Sequence, residues 1–314
     1  MNNFKAITTV YSYYFPEIRR LITDLTREYP HNVFLKSIKP GLDDFHIPII
    51  ERYLDFQKSS IPNLKDFPFK YPTAGAEESI REFLTFLQAK GIKRIYTLTG
   101  EYEGYKEVGK TRCIETVEVD PQTDPRTLEK GFWFISNPSA RDGNIIPNDF
   151  INKICEAGHK VFYDLTYVGL TELYKFDVSH QNISFVAISF SKPFGLFYYR
   201  LGFAFSREEI LSLFGNKWFK NIFSLLVVQK IMAEISPLEI WEKYKPIQKK
   251  IIQEINKKHR LGIRPGDALL LGYLTKQDAD KLSLSQQRMI SRFKRGDGYR
   301  FCLTPYFEEL EKRG

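Results

Sequence analysis

The chain has 314 residues, 43% of them hydrophobic, and 46 Lys and Arg against 38 Asp and Glu for a formal net charge of +8. That supplies a large core, as one α/β domain or one domain with a smaller companion. Cys113, Cys155 and Cys302 are odd in number and lack CxxC spacing, which argues against a disulfide framework or a zinc site.

No basic-then-apolar signal opens the chain, and no apolar run approaches membrane-spanning length. A soluble, cytoplasmic protein that binds no membrane is expected. The charges are mixed in sign along most of the chain. The densest basic stretch, "WEKYKPIQKKIIQEINKKHR" (241–260), repeats Ile247, Ile251 and Ile255 every four residues. Its lysines read as the wet face of an amphipathic helix, not as a nucleic-acid site.

In chain order, residues 16–30 and 46–57 read as helices. "GAEESIREFLTFLQAKG" places Ile80, Phe83, Leu84 and Leu87 on one stripe and stops at Gly91. Strands follow at 94–99, 114–119 and 132–136. "PNDFINKICEAG" is a helix with Asn148 as its predicted N-cap and Gly158 as its stop. Further strands are expected at 160–165, 185–190 and 201–206, then helix to about residue 259. The tail, "RPGDALLLGYL" and "GYRFCLTPYFEELEKR", reads as short strands and a terminal helix. Strands alternating with helices predict an α/β fold, a largely parallel central sheet flanked by helices. A large domain over 66–235 and a smaller α+β domain from 1–65 plus 236–314 are expected. Ligands in such sheets bind outside the carboxyl ends of the strands.

Polar residues mark those ends: Asn137 after "FWFIS", Asp164 and Tyr167 in "KVFYDLTYVG", Ser189 and Lys192 in "FVAISFSKPFG", then Arg200. Singly, Asn, Asp and Ser there are ordinary turn formers, and a lone lysine is most simply a solvated turn residue. Lys192, however, stands in an aromatic and apolar run. A desolvated amine is easier to deprotonate, and a neutral amine forms a Schiff base with an aldehyde.

The ordered set Asn137, Asp164-x-x-Tyr167, Ser189-x-x-Lys192 and Arg200 resembles the fold-type I pyridoxal-phosphate enzymes of the class I/II aminotransferase group. The resemblance runs from about Gly41 to Arg300. It implies pyridoxal 5'-phosphate as cofactor, carried by Lys192 as a Schiff base, with Lys192 then serving as general base. It implies Asp164 at the pyridinium nitrogen, Tyr167 and Asn137 at the ring's phenolic oxygen, and Ser189 and Arg200 at the phosphate. "YPTAGAEESI" resembles the family's phosphate turn, with backbone N–H groups of Gly75, Ala76 and Glu77. Tyr102 is implied over the cofactor face, with Tyr105 in reserve. Arg300 is implied at the substrate α-carboxylate, and Gly41 in a segment closing over the substrate.

The expected activity is transfer of an amino group from an amino acid to a 2-oxo acid. The alternatives are a β-lyase, decarboxylase or cyclase reaction on the same cofactor, or a non-catalytic binding protein of this fold. A homodimer with shared sites is also implied, Tyr71 reaching the neighbour's phosphate, with no metal.

Overall fold

The computed structural model describes residues 4–28, 44–218 and 221–312. Helices α1 (Pro16–Glu28) and α2 (Ile47–Phe56) precede strand β1 (Phe69–Thr73) and helix α3 (Ala76–Ala89). Then come β2 (Arg94–Leu98), α4 (Glu103–Thr111), β3 (Glu115–Val119), β4 (Phe132–Ser136), α5 (Asn148–Glu156) and β5 (Lys160–Asp164). Strands β6 (Ile183–Ser189) and β7 (Gly202–Ser206) lead into α6 (Ile222–Glu234) and the long α7 (Glu239–His259). The last segment holds β8 (Arg264–Pro265), β9 (Leu271–Leu274), two short helices, β10 (Lys294–Arg295), β11 (Gly298–Cys302) and a helix over Thr304–Glu311.

The large sheet has seven strands in the order β1-β7-β6-β5-β4-β2-β3. Pairs from β3 through β6 are parallel, and β7 runs antiparallel to both β6 and β1. A second sheet, β10-β11-β9-β8, is wholly antiparallel, and Ile7 bridges to Cys302 on its β11 strand. No helix among the described residues is long and apolar enough to cross a membrane.

Both faces of the large sheet are covered, because successive strand residues alternate in direction. Phe132 and Phe134, Phe162, and Phe185 and Ala187 meet the apolar stripe of α3: Ile80, Phe83, Leu84 and Leu87. Trp133, Ile135, Val161, Tyr163, Val186 and Ile188 pack on the other face against the remaining core. A stack of rings ties the first face together. Phe134 and Phe162 lie 4.6 Å apart at 13°, Phe162 and Phe185 5.0 Å apart at 11°. Such pairs contribute beyond the area they bury.

The strands expected from apolar runs are present, and β1 is an addition at the sheet edge. Its Pro72 breaks the strand pattern in sequence, and proline is tolerated on edge strands. Asn148 is not the cap of α5. Pro147 holds that position, and the Asn148 side chain donates to Lys175 O and accepts from Asp177 N instead.

Candidate active site

A cavity of about 420 Å³ opens at the carboxyl ends of β4, β5 and β6. Its wall includes Lys192, Asp164, Tyr167, Ser189, Arg200, Tyr102, Ala76, Glu77 and Arg300, so nine of the sequence-predicted residues converge there. Parallel strands make this convergence inevitable, since each delivers its terminal residue to the same end of the sheet.

Lys192 and Arg200 both lie in the connection between β6 and β7. The Lys192 amine donates to the backbone carbonyl of Val10 and lies 5.6 Å from the centre of the Phe197 ring. Burial, reinforced by repulsion from Arg300 and Arg200, brings its pKa down from 10.5 to about 8. That amine is a far better nucleophile at neutral pH than an exposed lysine.

Asp164 ends β5 almost fully buried. Thr166 donates to Oδ1 through both its N–H (3.0 Å) and its hydroxyl, and the Tyr105 hydroxyl donates to Oδ2 at 2.9 Å. Burial raises its pKa, against these hydrogen bonds.

A glycine turn, a guanidinium and a hydroxyl meet at the start of α3. Gly75 has φ +90°, and a Cβ there would stand 3.3 Å from Arg200 Nη2 and 3.7 Å from Ser189 Oγ. The positive φ favours glycine, and a side chain there would also crowd the Arg200 guanidinium. The first N–H groups of α3 lack intrahelical acceptors and carry the positive end of the helix dipole. Arg200 is itself held at φ +48° and donates to Phe197 O at 3.4 Å. A non-glycine residue rarely adopts that backbone, and it persists where surroundings impose it.

Arg300 is 4% exposed. Its Nη1 donates to Ala140 O and its Nη2 to Thr8 O at 2.7 Å, while Nε finds no acceptor among the described residues. The guanidinium therefore faces the cavity with both outer nitrogens already holding backbone.

Two expectations change. Asn137 does not reach the cavity. It is fully buried, donating to Ile146 O (2.8 Å) and the Tyr163 hydroxyl (2.7 Å) and accepting from Ile146 N (2.9 Å). The amide staples its own loop, and Ala140 from that loop lines the wall instead. Tyr105 is no reserve for Tyr102, because it lies behind the wall, beneath Asp164. The Tyr71 hydroxyl accepts from Ile210 N at 3.1 Å within the chain. Gly41 lies outside the described residues.

Sequence reasoning missed Glu101. This buried carboxylate accepts from Tyr102 N (3.2 Å), Ser136 N (3.2 Å), Ser136 Oγ (2.7 Å) and Ala140 N (3.1 Å), tying two sides of the cavity together. Burial pushes it up to about 7. In "TGEYEGY" it looks like any solvated loop glutamate, and only the neighbouring glycine hinted at a tight turn.

The mostly parallel seven-stranded sheet flanked by helices, with a lysine beyond β6 and a buried aspartate ending β5, has the fold-type I pyridoxal-phosphate architecture. The chain belongs to the aminotransferase class I and II family, matched over residues 72–237. Pyridoxal 5'-phosphate is the cofactor that this membership indicates. Histidinol-phosphate aminotransferase 2 of Archaeoglobus fulgidus is 26% identical over 160 residues, covering 49% of this chain and 46% of that protein. The match thus spans less than half of that relative's length. Among solved structures, L-threonine-O-3-phosphate decarboxylase from Porphyromonas gingivalis superposes with a TM-score of 0.64 at 14% identity, covering 98% of both chains. Histidinol-phosphate aminotransferase from Sinorhizobium meliloti, in complex with pyridoxal-5'-phosphate, gives 0.67 at 13%, covering 95% of this chain and 85% of that one. A C-S lyase from Staphylococcus hominis gives 0.67 at 13%, over 97% and 85%. These likenesses concern the fold.

Proposed function

We propose that the protein is a pyridoxal-phosphate-dependent aminotransferase that moves an amino group from an amino acid to a 2-oxo acid. The observation that carries this reading is the Lys192 amine, lowered to about 8, sharing one cavity with Asp164, Ser189 and Arg200, with Gly75 packed behind the last two. When bound, the cofactor supplies an electron sink for the pair left at the substrate Cα.

The chain's own residues do the rest. Lys192 would anchor the cofactor and, once displaced by substrate, take the proton from the substrate Cα and deliver it to the cofactor's former aldehyde carbon, the 1,3-shift that amino transfer requires. Asp164 holds a proton at the ring nitrogen, and Tyr167 donates to the ring oxygen. Ser189, Arg200 and the N–H groups of Gly75, Ala76 and Glu77 hold the phosphate. Tyr102 covers the ring face and excludes water. Arg300 orients the substrate carboxylate, with Gly41 contributing to closure. We assign the cofactor to a large domain over 66–235, with 1–65 and 236–314 as the smaller domain. The working form is a cytoplasmic homodimer with shared sites, which light scattering tests.

A lyase or decarboxylase reaction on the same cofactor is the second reading, supported by the fold likeness to a decarboxylase and a C-S lyase. In either reading Arg300 must release a backbone carbonyl, of Ala140 or Thr8, to grip a carboxylate with both outer nitrogens. One experiment separates them. An amino acid donor alone bleaches the cofactor's visible absorbance in an aminotransferase and releases one equivalent of oxo acid. Continuous release of ammonia or carbon dioxide from that donor overturns the transamination reading.

A further inference from the structure

We propose that Tyr105 is a positioning residue for Asp164, its phenol holding one carboxylate oxygen from behind the cavity so that the group stays ionised and aimed at the cofactor. This rests on the reading that the cavity binds pyridoxal phosphate with Asp164 at its ring nitrogen.

Three observations converge on it. Tyr105 has no exposed surface and takes no part in the cavity wall, so it touches neither cofactor nor substrate. Its hydroxyl lies 2.9 Å from Oδ2, whereas both Thr166 donors go to Oδ1. Its ring is fixed by Tyr102 at 5.4 Å and 89°, and by Phe134 at 5.4 Å and 60°. A hydroxyl so enclosed has one direction available, and it points at the carboxylate.

Ionising Asp164 needs such help. Glu77 on α3, and Glu101 and Tyr102 in the segment before α4, face it with charge that opposes ionisation or with none. Lys192 beyond β6 favours it, and Tyr167 stands on the loop after β5. Burial holds the Tyr105 phenol well above its ordinary range, so it donates throughout the working pH and never competes as an anion. A hydrogen bond to a charged group buried in this way is among the stronger ones.

The test is Tyr105→Phe in the full chain, alone and combined with Asp164→Asn. In cofactor-free protein labelled with ¹³C-aspartate, the Asp164 carboxyl should titrate at higher pH in Tyr105→Phe. In the loaded protein, the acid limb of kcat should move up by about one pH unit, and pyridoxal phosphate affinity should fall roughly ten-fold or more. On the Asp164→Asn background the same change should cost no further affinity. An unmoved Asp164 titration, or affinity losses that simply add, overturns the proposal and leaves Tyr105 a core residue that alters only melting temperature. A moved titration in protein that never takes up pyridoxal phosphate keeps the pairing and overturns the cofactor reading beneath it.

Discussion

The Lys192 amine donates to the backbone carbonyl of Val10, so the chain's N-terminal segment lies against its most reactive group. Ser12 Oγ donates to Ser191 O beside it, and Thr304 Oγ1 to Tyr11 O at 2.8 Å. The segment from Thr8 to Ser12 therefore reports on what happens at Lys192 and Arg300.

The first expected outcome concerns Lys192 as an attachment point. Borohydride reduction of the loaded protein followed by peptide mapping should find the modification on Lys192. A tag on another lysine would displace the assignment.

Its lowered pKa also makes a stability prediction. The unfolded amine titrates near 10.5 and the folded one near 8. Between these values the unfolded chain binds more protons, so the stability of the cofactor-free protein gains from this residue as pH rises from about 8. Lys192→Met should melt roughly 2–4 °C higher than wild type at pH 7, with the gap closing by about pH 10.5. A gap independent of pH would show that burial does not tax this amine.

Replacing Asp164 by alanine should leave the fold intact and kcat down by roughly 10²- to 10³-fold, a loss typical of a preorganised charge at a reacting centre. Circular dichroism and turnover together check it, and activity within a few-fold of wild type would remove Asp164 from the chemistry.

Gly75→Ala tests the proposed phosphate site without touching a charge. The new methyl meets Arg200 Nη2 at 3.3 Å on a backbone at φ +90°. We expect pyridoxal phosphate affinity to drop at least ten-fold, equivalent to about 1.4 kcal/mol, with inorganic phosphate competing more weakly. Unchanged affinity would place the phosphate elsewhere.

For Arg300→Lys the structure adds a readout to the expected rise in KM of about 10- to 1000-fold. A lysine cannot hold Ala140 O and Thr8 O together, so amide exchange over residues 8–12 should quicken in the same variant. A higher KM without faster exchange would separate substrate grip from the segment's anchoring.

Much of this was legible in sequence because parallel strands advertise themselves. The runs at 132–136 and 160–164 are apolar on both faces, and topology alone delivers Asp164, which ends the second, to the cavity. The limits were local. Asn137 was legible as a loop amide at a strand end, but only the path of residues 138–146 shows that its donors are consumed by Ile146 and Tyr163. Tyr105 and Tyr102 differ by three positions, close to one helical turn. Whether each faces the cavity or the core depends on where α4 begins. Strand β1 was hidden by Pro72 and by a partner, β7, remote in sequence. Glu101 gave no signal, since three of its four donors come from residues 136–140 and meet it only after folding.

That remoteness of β1 from β7 has a kinetic meaning. Thr73 pairs with Gly202, and Gly75 lies two residues on, so its approach to Arg200 exists only once edge strand β1 has docked on β7, more than 120 residues away in sequence. Long chain closures of this kind are slow compared with the β6–β7 hairpin, whose strands are neighbours in sequence. The approach of Gly75 to Arg200 is therefore expected late in refolding, after the β6–β7 hairpin that carries Lys192 and Arg200.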